Sequence, residues 1–389
     1  MYFILLIFTL FLYRILSNKS VEDFRLSFTK IMSIVLIVIS GLRNKAVGSD
    51  TGRYLYSLEQ APYKSWDSIF SGFQEALFNP SQSLKDPGYA IFEKLVSIFT
   101  TDQVLFLLLI AAITLIPTVL FIKNNTIAKK DMIFPYMFFI TLMYENFPNH
   151  IVRMSIAFAL CMCAYMMLNK NKSFVFFLFV FLAATIHKSA LILVVFWILQ
   201  RFVSPKLVFY SVPFFFFVVY LRPALVVGLL EGSSGAYQDY LGGGWYESGK
   251  SKPIMILLLM GVMYLLLFIG MKSERLDVEK YRKEIIGASL AIGLTPVVRI
   301  DPIMFRLVSY FAPWLMLLIP VALDCISDSN RKMAYFVLSI VFLLKAYSAP
   351  EFKFFWQYMP MDQSYTKVDI IQETKVQILS NIKENNNLV

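Results

Sequence analysis

The sequence predicts an all-α polytopic membrane protein with about twelve transmembrane helices. Three observations carry that expectation. Hydrophobic residues make up 58% of the 389-residue chain, and its mean hydropathy is +0.64. Apolar runs long enough to enter a hydrocarbon layer of roughly 30 Å recur from end to end. The linkers between them are basic at every second gap, the bias by which cytoplasmic loops retain Lys and Arg.

In chain order the expected spans lie near residues 2–16, 26–42, 103–122, 132–147, 150–168, 173–186, 189–200, 207–230, 253–271, 285–299, 302–324 and 332–347. The first run, MYFILLIFTLFLYRIL, has neither a basic start nor a small-residue cleavage site, so it is expected to be a retained span. The basic linkers are SNKSVEDFR, KNNTIAKKD, NKNKS, RFVSPK, KSERLDVEKYRKE and CISDSNRK. Their parity puts all six in the cytoplasm and both termini outside. Loops 43–102 and 231–252 and three apices, at Asn149, His187 and Asp301, fall on the same outer side. Residues 1–347 then form a single polytopic domain, and residues 348–389 an extracytoplasmic tail whose end, NIKENNNLV, is expected to be disordered.

Residues 173–200 strain this scheme. Each half, before and after His187, reaches only about 21 Å as a helix. A single tilted helix would move RFVSPK and KSERLDVEKYRKE outside, against the charge bias. A hairpin with its turn below the outer interface is the better expectation, and such a turn must line a protein-buried or water-filled space.

Composition also excludes. The net charge of +10 would suit nucleic acid in a soluble protein, but in a membrane chain basic loops set topology, and no nucleic-acid partner is expected. Cys161, Cys163 and Cys325 form no disulfide or zinc spacing and read as small buried hydrophobes. There is no HExxH, DxD, P-loop or GxSxG motif, and no metal or cofactor is expected.

The polar residues gather at the outer apices. The first outer loop opens RNKAVGSDTGRY: Arg43, Lys45 and Arg53 offer donors, Gly48 and Gly52 permit tight turns, and Asp50 is a candidate base. An ordinary solvated loop with an Asp50–Arg53 pair is the competing reading. The second apex carries Glu145, Asn149, His150 and, about one turn into the next helix, Arg153, which is either an interfacial anchor or an anion ligand. At the third, His187-Lys188-Ser189 places a histidine in the submerged turn, suited to accept a proton or hold a phosphate. At the fourth, Arg299 and Arg306 bracket Asp301-Pro302, and Arg306 shares a helix face with Tyr310. Trp245 in loop 231–252 and Trp356 in the tail are either interfacial aromatics or sugar platforms. Arginines, a histidine and aromatics gathered on the outer face, with few acidic residues in the spans, favour an anionic, partly lipidic ligand over a cation path.

With these residues in view, the chain resembles the EpsG-like branch of the Wzy-type polysaccharide repeat-unit polymerases. Gly48-Ser49-Asp50-Thr51 with Arg53 and Tyr54, Arg153-Met-Ser-Ile-Ala157, His187-Lys-Ser189-Ala190, and Arg306 with Tyr310 carry the resemblance. It implies a GT-C-like helical architecture and a glycosyltransferase in the bacterial cytoplasmic membrane, with its active site on the extracytoplasmic side. The substrate would be an undecaprenyl-pyrophosphate-linked oligosaccharide, polymerised into capsular polysaccharide, exopolysaccharide or O-antigen. Membrane lipid, a chain-length regulator and a flippase are the implied partners. Under that reading Arg153 and Arg306 grip the leaving pyrophosphate with help from Arg43, Arg53 and Arg299. His187, or failing it Asp50, is the base, and Trp356, Tyr310 and Trp245 hold sugars. The principal alternative is a lipid-linked oligosaccharide flippase, whose cationic groups would line the whole central path. An acyl or phosphoglycerol transferase is a second, for which a cytoplasmic-side His or a large outer catalytic domain would be expected.

Overall fold

A computed structural model describes residues 1–44, 47–48, 50–78, 87–126, 128–222, 254–299 and 304–347. Among these residues every regular element is helical. The helices are α1 (Tyr2–Leu16), α2 (Val21–Gly41), α3 (Thr51–Gln60), α4 (Trp66–Phe78), α5 (Pro87–Phe99), α6 (Gln103–Asn125), α7 (Ile133–Leu142), α8 (Val152–Asn169), α9 (Ser173–Ile186), α10 (Ile192–Phe202) and α11 (Pro205–Leu221). After residues 223–253 come α12 (Ile254–Lys272), α13 (Arg282–Leu294), α14 (Phe305–Asp324) and α15 (Asp328–Tyr347).

Five of them, α2, α6, α8, α12 and α14, are long and apolar enough to cross a membrane. Four shorter apolar helices, α1, α7, α9 and α11, accompany them. Exposed Ile, Leu and Phe along α1, α11 and α12 leave an apolar outer surface that water would not tolerate. The protein is a helical membrane protein.

Local sequence explains where the helices start and stop. Ser20 accepts from the Asp23 amide at 3.2 Å to open α2, and Asp102 from the Leu105 amide at 2.8 Å to open α6. The α8–α9 turn closes with Asn171 at φ +57°, a left-handed position that Asn tolerates. The centre is an aromatic cluster: Trp314 of α14 packs on Tyr165 of α8 at 4.8 Å, on Phe121 of α6 at 5.2 Å and on Phe196 of α10 at 5.6 Å between ring centroids. A side chain at Gly287 of α13 would run into the Trp314 ring, so these helices approach closely there.

One region differs from the sequence expectation in kind. The interval 43–102, expected as an outer loop, contains α3, α4 and α5, whose amphipathic pattern is too short to span but long enough to cover one end of the bundle. Residues 173–200, in contrast, break where their length required. Helix α9 ends at Ile186, His187 is extended with φ −152° and ψ 107°, and Lys188–Leu191 forms a single tight turn before α10. A single tilted helix through this segment is therefore ruled out.

The six basic linkers meet at one end of the bundle. Arg25 donates to the Lys123 carbonyl, and Asn169 donates to Asn125 at 2.7 Å. Lys283 reaches Asn169 at 3.0 Å, and Arg282 reaches the Gln200 and Val203 carbonyls at 2.6 Å each. Ser273 donates to the Cys325 carbonyl at 3.2 Å. Helices α2, α8, α9 and α14 each have one terminus here, and their other termini carry the polar apices.

Candidate functional site

At the apical end the chain builds a strap before it builds a site. Gly48 sits at φ +99°, and a side chain there would collide with the Asn149 carbonyl and the Thr51 hydroxyl. Thr51 donates to the Val47 carbonyl at 2.7 Å and approaches the Asn149 carbonyl at 3.2 Å. Asn149, fully buried, accepts from Ser40 at 2.7 Å and donates to the Tyr144 carbonyl at 2.7 Å, while the Tyr144 hydroxyl donates to the Leu36 carbonyl at 2.6 Å. These bonds lock the entry to α3 onto residues 143–151 and fix the start of α8.

That locking sets the position of Arg153. Its Nε donates to the Tyr54 hydroxyl at 3.0 Å, and the guanidinium lies 5.8 Å from the Tyr54 ring centroid. Burial pushes the Tyr54 phenol up despite the nearby Arg153 charge, so it stays protonated and can still accept the Arg153 bond. The charges of Asp50 and Arg306 also reach Tyr54. Asp50 is the cap residue of α3, half-buried, with its side chain making no capping bond.

His187 comes from the α9–α10 turn. Its Nδ1 lies 2.6 Å from the Ser189 hydroxyl, which lies 3.1 Å from the Tyr310 hydroxyl. Tyr310 is fully buried, and its own carbonyl accepts from Tyr165 at 2.9 Å, which ties the relay to α8 and α14. The charges of Arg306 and Arg153 both reach the His187 ring. Arg153, His187 and Arg306 thus come from three separated segments, α8, the α9–α10 turn and α14, with the charges of both arginines acting on the histidine ring.

Arg43 and Arg299 instead bond carbonyls at helix ends. Arg43 is buried and donates to the Ser40 carbonyl at 2.8 Å, satisfying the end of α2. Arg299 donates to the Tyr220 carbonyl and stacks over the Tyr220 ring at 4.0 Å, at the end of α11. Arg53 is exposed on α3, on a different face from Tyr54. Trp245, Trp356 and Asp301 lie outside the described residues. Among the described residues no three His, Cys, Asp or Glu side chains are grouped to hold a metal.

Sequence reading missed one charged group near this locus. Glu93 of α5 is 2% exposed, and its Oε2 accepts from Ser57 at 2.7 Å and pairs with Lys64 at 3.4 Å. One turn earlier Tyr89 packs edge-on against Tyr54 at 5.4 Å. Glycine is required at position 88, where a side chain would strike Thr185 at the end of α9. The available signal was the i, i+4 placement of Tyr89 and Glu93 in an amphipathic helix, which a loop assignment for residues 43–102 concealed.

A protein-family model described as the EpsG family matches residues 26–359. No curated protein and no solved structure matches the chain.

Proposed function

The chain belongs to the EpsG family, and from that premise we propose that it is a polysaccharide polymerase. It joins undecaprenyl-pyrophosphate-linked oligosaccharide units at the outer face of the bacterial cytoplasmic membrane. What supports the reading is that the charges of Arg153 and Arg306, from two separate helices, act on His187 in the turn of a third segment. In the proposed step the acceptor sugar hydroxyl attacks the anomeric carbon of the donor chain. The carbon–oxygen bond to pyrophosphate breaks, and the bonding pair leaves on the phosphate oxygen.

Each group has a task in that step. Charge grows on the leaving oxygen, where Arg153 and Arg306 stabilise it as it forms. Arg43, Arg53 and Arg299 assist less directly, Arg43 and Arg299 chiefly by fixing helix ends. His187 receives the hydroxyl proton on Nε2. Nδ1–H donates to Ser189, and the Ser189–Tyr310 link holds the ring in that tautomer. Asp50 is the second candidate base. Trp245 and Trp356 are proposed sugar platforms, and Tyr310 supports the sugar side through the His187 relay.

For topology, we propose twelve spans, with the shorter helices completing theirs through the adjoining turns, both termini outside and the six basic linkers cytoplasmic. Clustering of those linkers at the end opposite His187 supports that orientation. A flippase and a chain-length regulator are proposed partners. The test is polymer formation in membranes by His187→Ala and Arg306→Ala variants that reach wild-type abundance. Short or absent products are expected; full-length polymer from both would overturn the site. Lipid-linked units accumulating on the inner leaflet of cells lacking the protein would indicate a flippase instead.

A further inference from the structure

Glu93 is a carboxylate with 2% exposure inside the α3–α5 cover, and the polymerase step above makes no use of it. Burying a carboxylate is costly unless its oxygens are satisfied. Oε2 is satisfied by Ser57 and Lys64. Oε1 and the Tyr89 hydroxyl are both buried and one helical turn apart, and neither has a hydrogen-bond partner among the described residues. Burial, then the Glu93 charge, holds the Tyr89 phenol well above its usual range, so it remains a donor facing a carboxylate. The Tyr89 ring meets the Tyr54 ring at 5.4 Å, and the Tyr54 oxygen receives Arg153 Nε at 3.0 Å. The charge of Arg153 reaches Tyr89 as well. Tyr89 and Tyr54 thus stand in order between the Glu93 carboxylate and the guanidinium assigned to the leaving group, linked by the Glu93 charge acting on Tyr89, the ring contact and the Tyr54–Arg153 bond.

We propose that Glu93 is a positioning residue for Arg153: through the Tyr89 hydroxyl and the paired Tyr89 and Tyr54 rings it fixes where the Tyr54 oxygen holds the guanidinium. The role rests on the polymerase reading. A guanidinium aimed at a developing charge loses most of its value if displaced by about an ångström, whereas ground-state binding of a long lipid-linked chain hardly changes. Glu93 would then affect kcat and leave KM alone.

The test measures polymerisation of purified lipid-linked units by detergent-extracted wild type and variants that elute as single folded species. Glu93→Gln and Tyr89→Phe are each expected to lower kcat about tenfold with KM nearly unchanged. Combining Glu93→Gln with Tyr54→Phe should lose no more than the worse single change, because the three groups act in one line. Ser57→Ala and Lys64→Met should stay within about twofold of wild type. If Glu93 is only a staple between α3 and α5, Ser57→Ala will match Glu93→Gln, Tyr89→Phe will be silent, and the role is overturned. Multiplicative losses in the double variant, or full kcat in Glu93→Gln, overturn it equally. Tyr89→Phe removes a single oxygen, so its kcat decides between the two roles even where Glu93→Gln fails to fold. A wild type that joins no lipid-linked units overturns the polymerase reading and this role with it; a polymerising wild type with an unaffected Glu93→Gln overturns the role alone.

Discussion

The two ends of the bundle use the same residue types for opposite purposes. Where the basic linkers meet, several cationic side chains donate to main-chain carbonyls as well as to neighbouring side chains: Arg25 to Lys123, Arg282 to Gln200 and Val203, Lys283 to Leu168. These carbonyls lie at or just beyond helix C-termini, where the partial negative charge of the helix favours a cation. At the apical end Arg153 meets a tyrosine hydroxyl, and its charge and that of Arg306 act on a histidine. Cations at the first end complete helices; at the second Arg153 is held by a tyrosine and acts with Arg306 on His187. Arg43 and Arg299 show that the distinction follows bonding and not location. Both lie at the apical end, yet both close a helix terminus.

That contrast can be broken, beginning with its largest expected consequence. Arg306→Ala and Arg153→Ala should each reduce polymer formation by about 10²–10³-fold while leaving membrane abundance unchanged, since in the proposed step each removes a group matched to charge in the transition state. Polymer quantified per molecule of membrane-inserted protein checks this, and wild-type output from either would erase the difference between the two ends. Ser189→Ala should lower turnover about tenfold by freeing the His187 ring to adopt other tautomers and rotamers. A kcat measurement on the intact, folded variant decides it.

Smaller effects belong to structure. Gly48→Ala places a side chain at φ +99° against the Asn149 carbonyl, and a loss of more than about 1 kcal/mol in stability is expected. A lowered Tm in detergent would show it; an unchanged Tm would mean the strap does not hold α3 onto the second apex. Arg282→Ala at the linker end should cost about 1 kcal/mol through lost capping of α10, with turnover per folded molecule unaltered. A specific loss of activity there, without loss of Tm, would make the linker end functional and remove the contrast.

How much of this is legible in the sequence follows from the range of each interaction. Class and break points are local properties. Apolar runs mark helices, and the length shortfall on either side of His187 marks a turn that the structure has at that residue. The alternation of basic linkers is also local, and the side-chain contacts that gather them at one end agree with it. The covering helices α3–α5 are not legible in the same way, because an amphipathic pattern too short to span looks like a polar loop beside runs of membrane length.

The sequence by itself determined that the protein is helical and membrane-bound, where its chain must turn, and which cationic residues lie at the turns. Apolarity, period and charge bias suffice for that, since each acts within a few residues. Tertiary structure alone decided what those cations do. Arg43 and Arg153 are alike as letters beside a polar apex; one closes α2 and the other meets Tyr54 because packing brings Tyr54, 99 residues away, against α8. Bonds that span such distances depend on how helices cross, and no local pattern encodes that crossing.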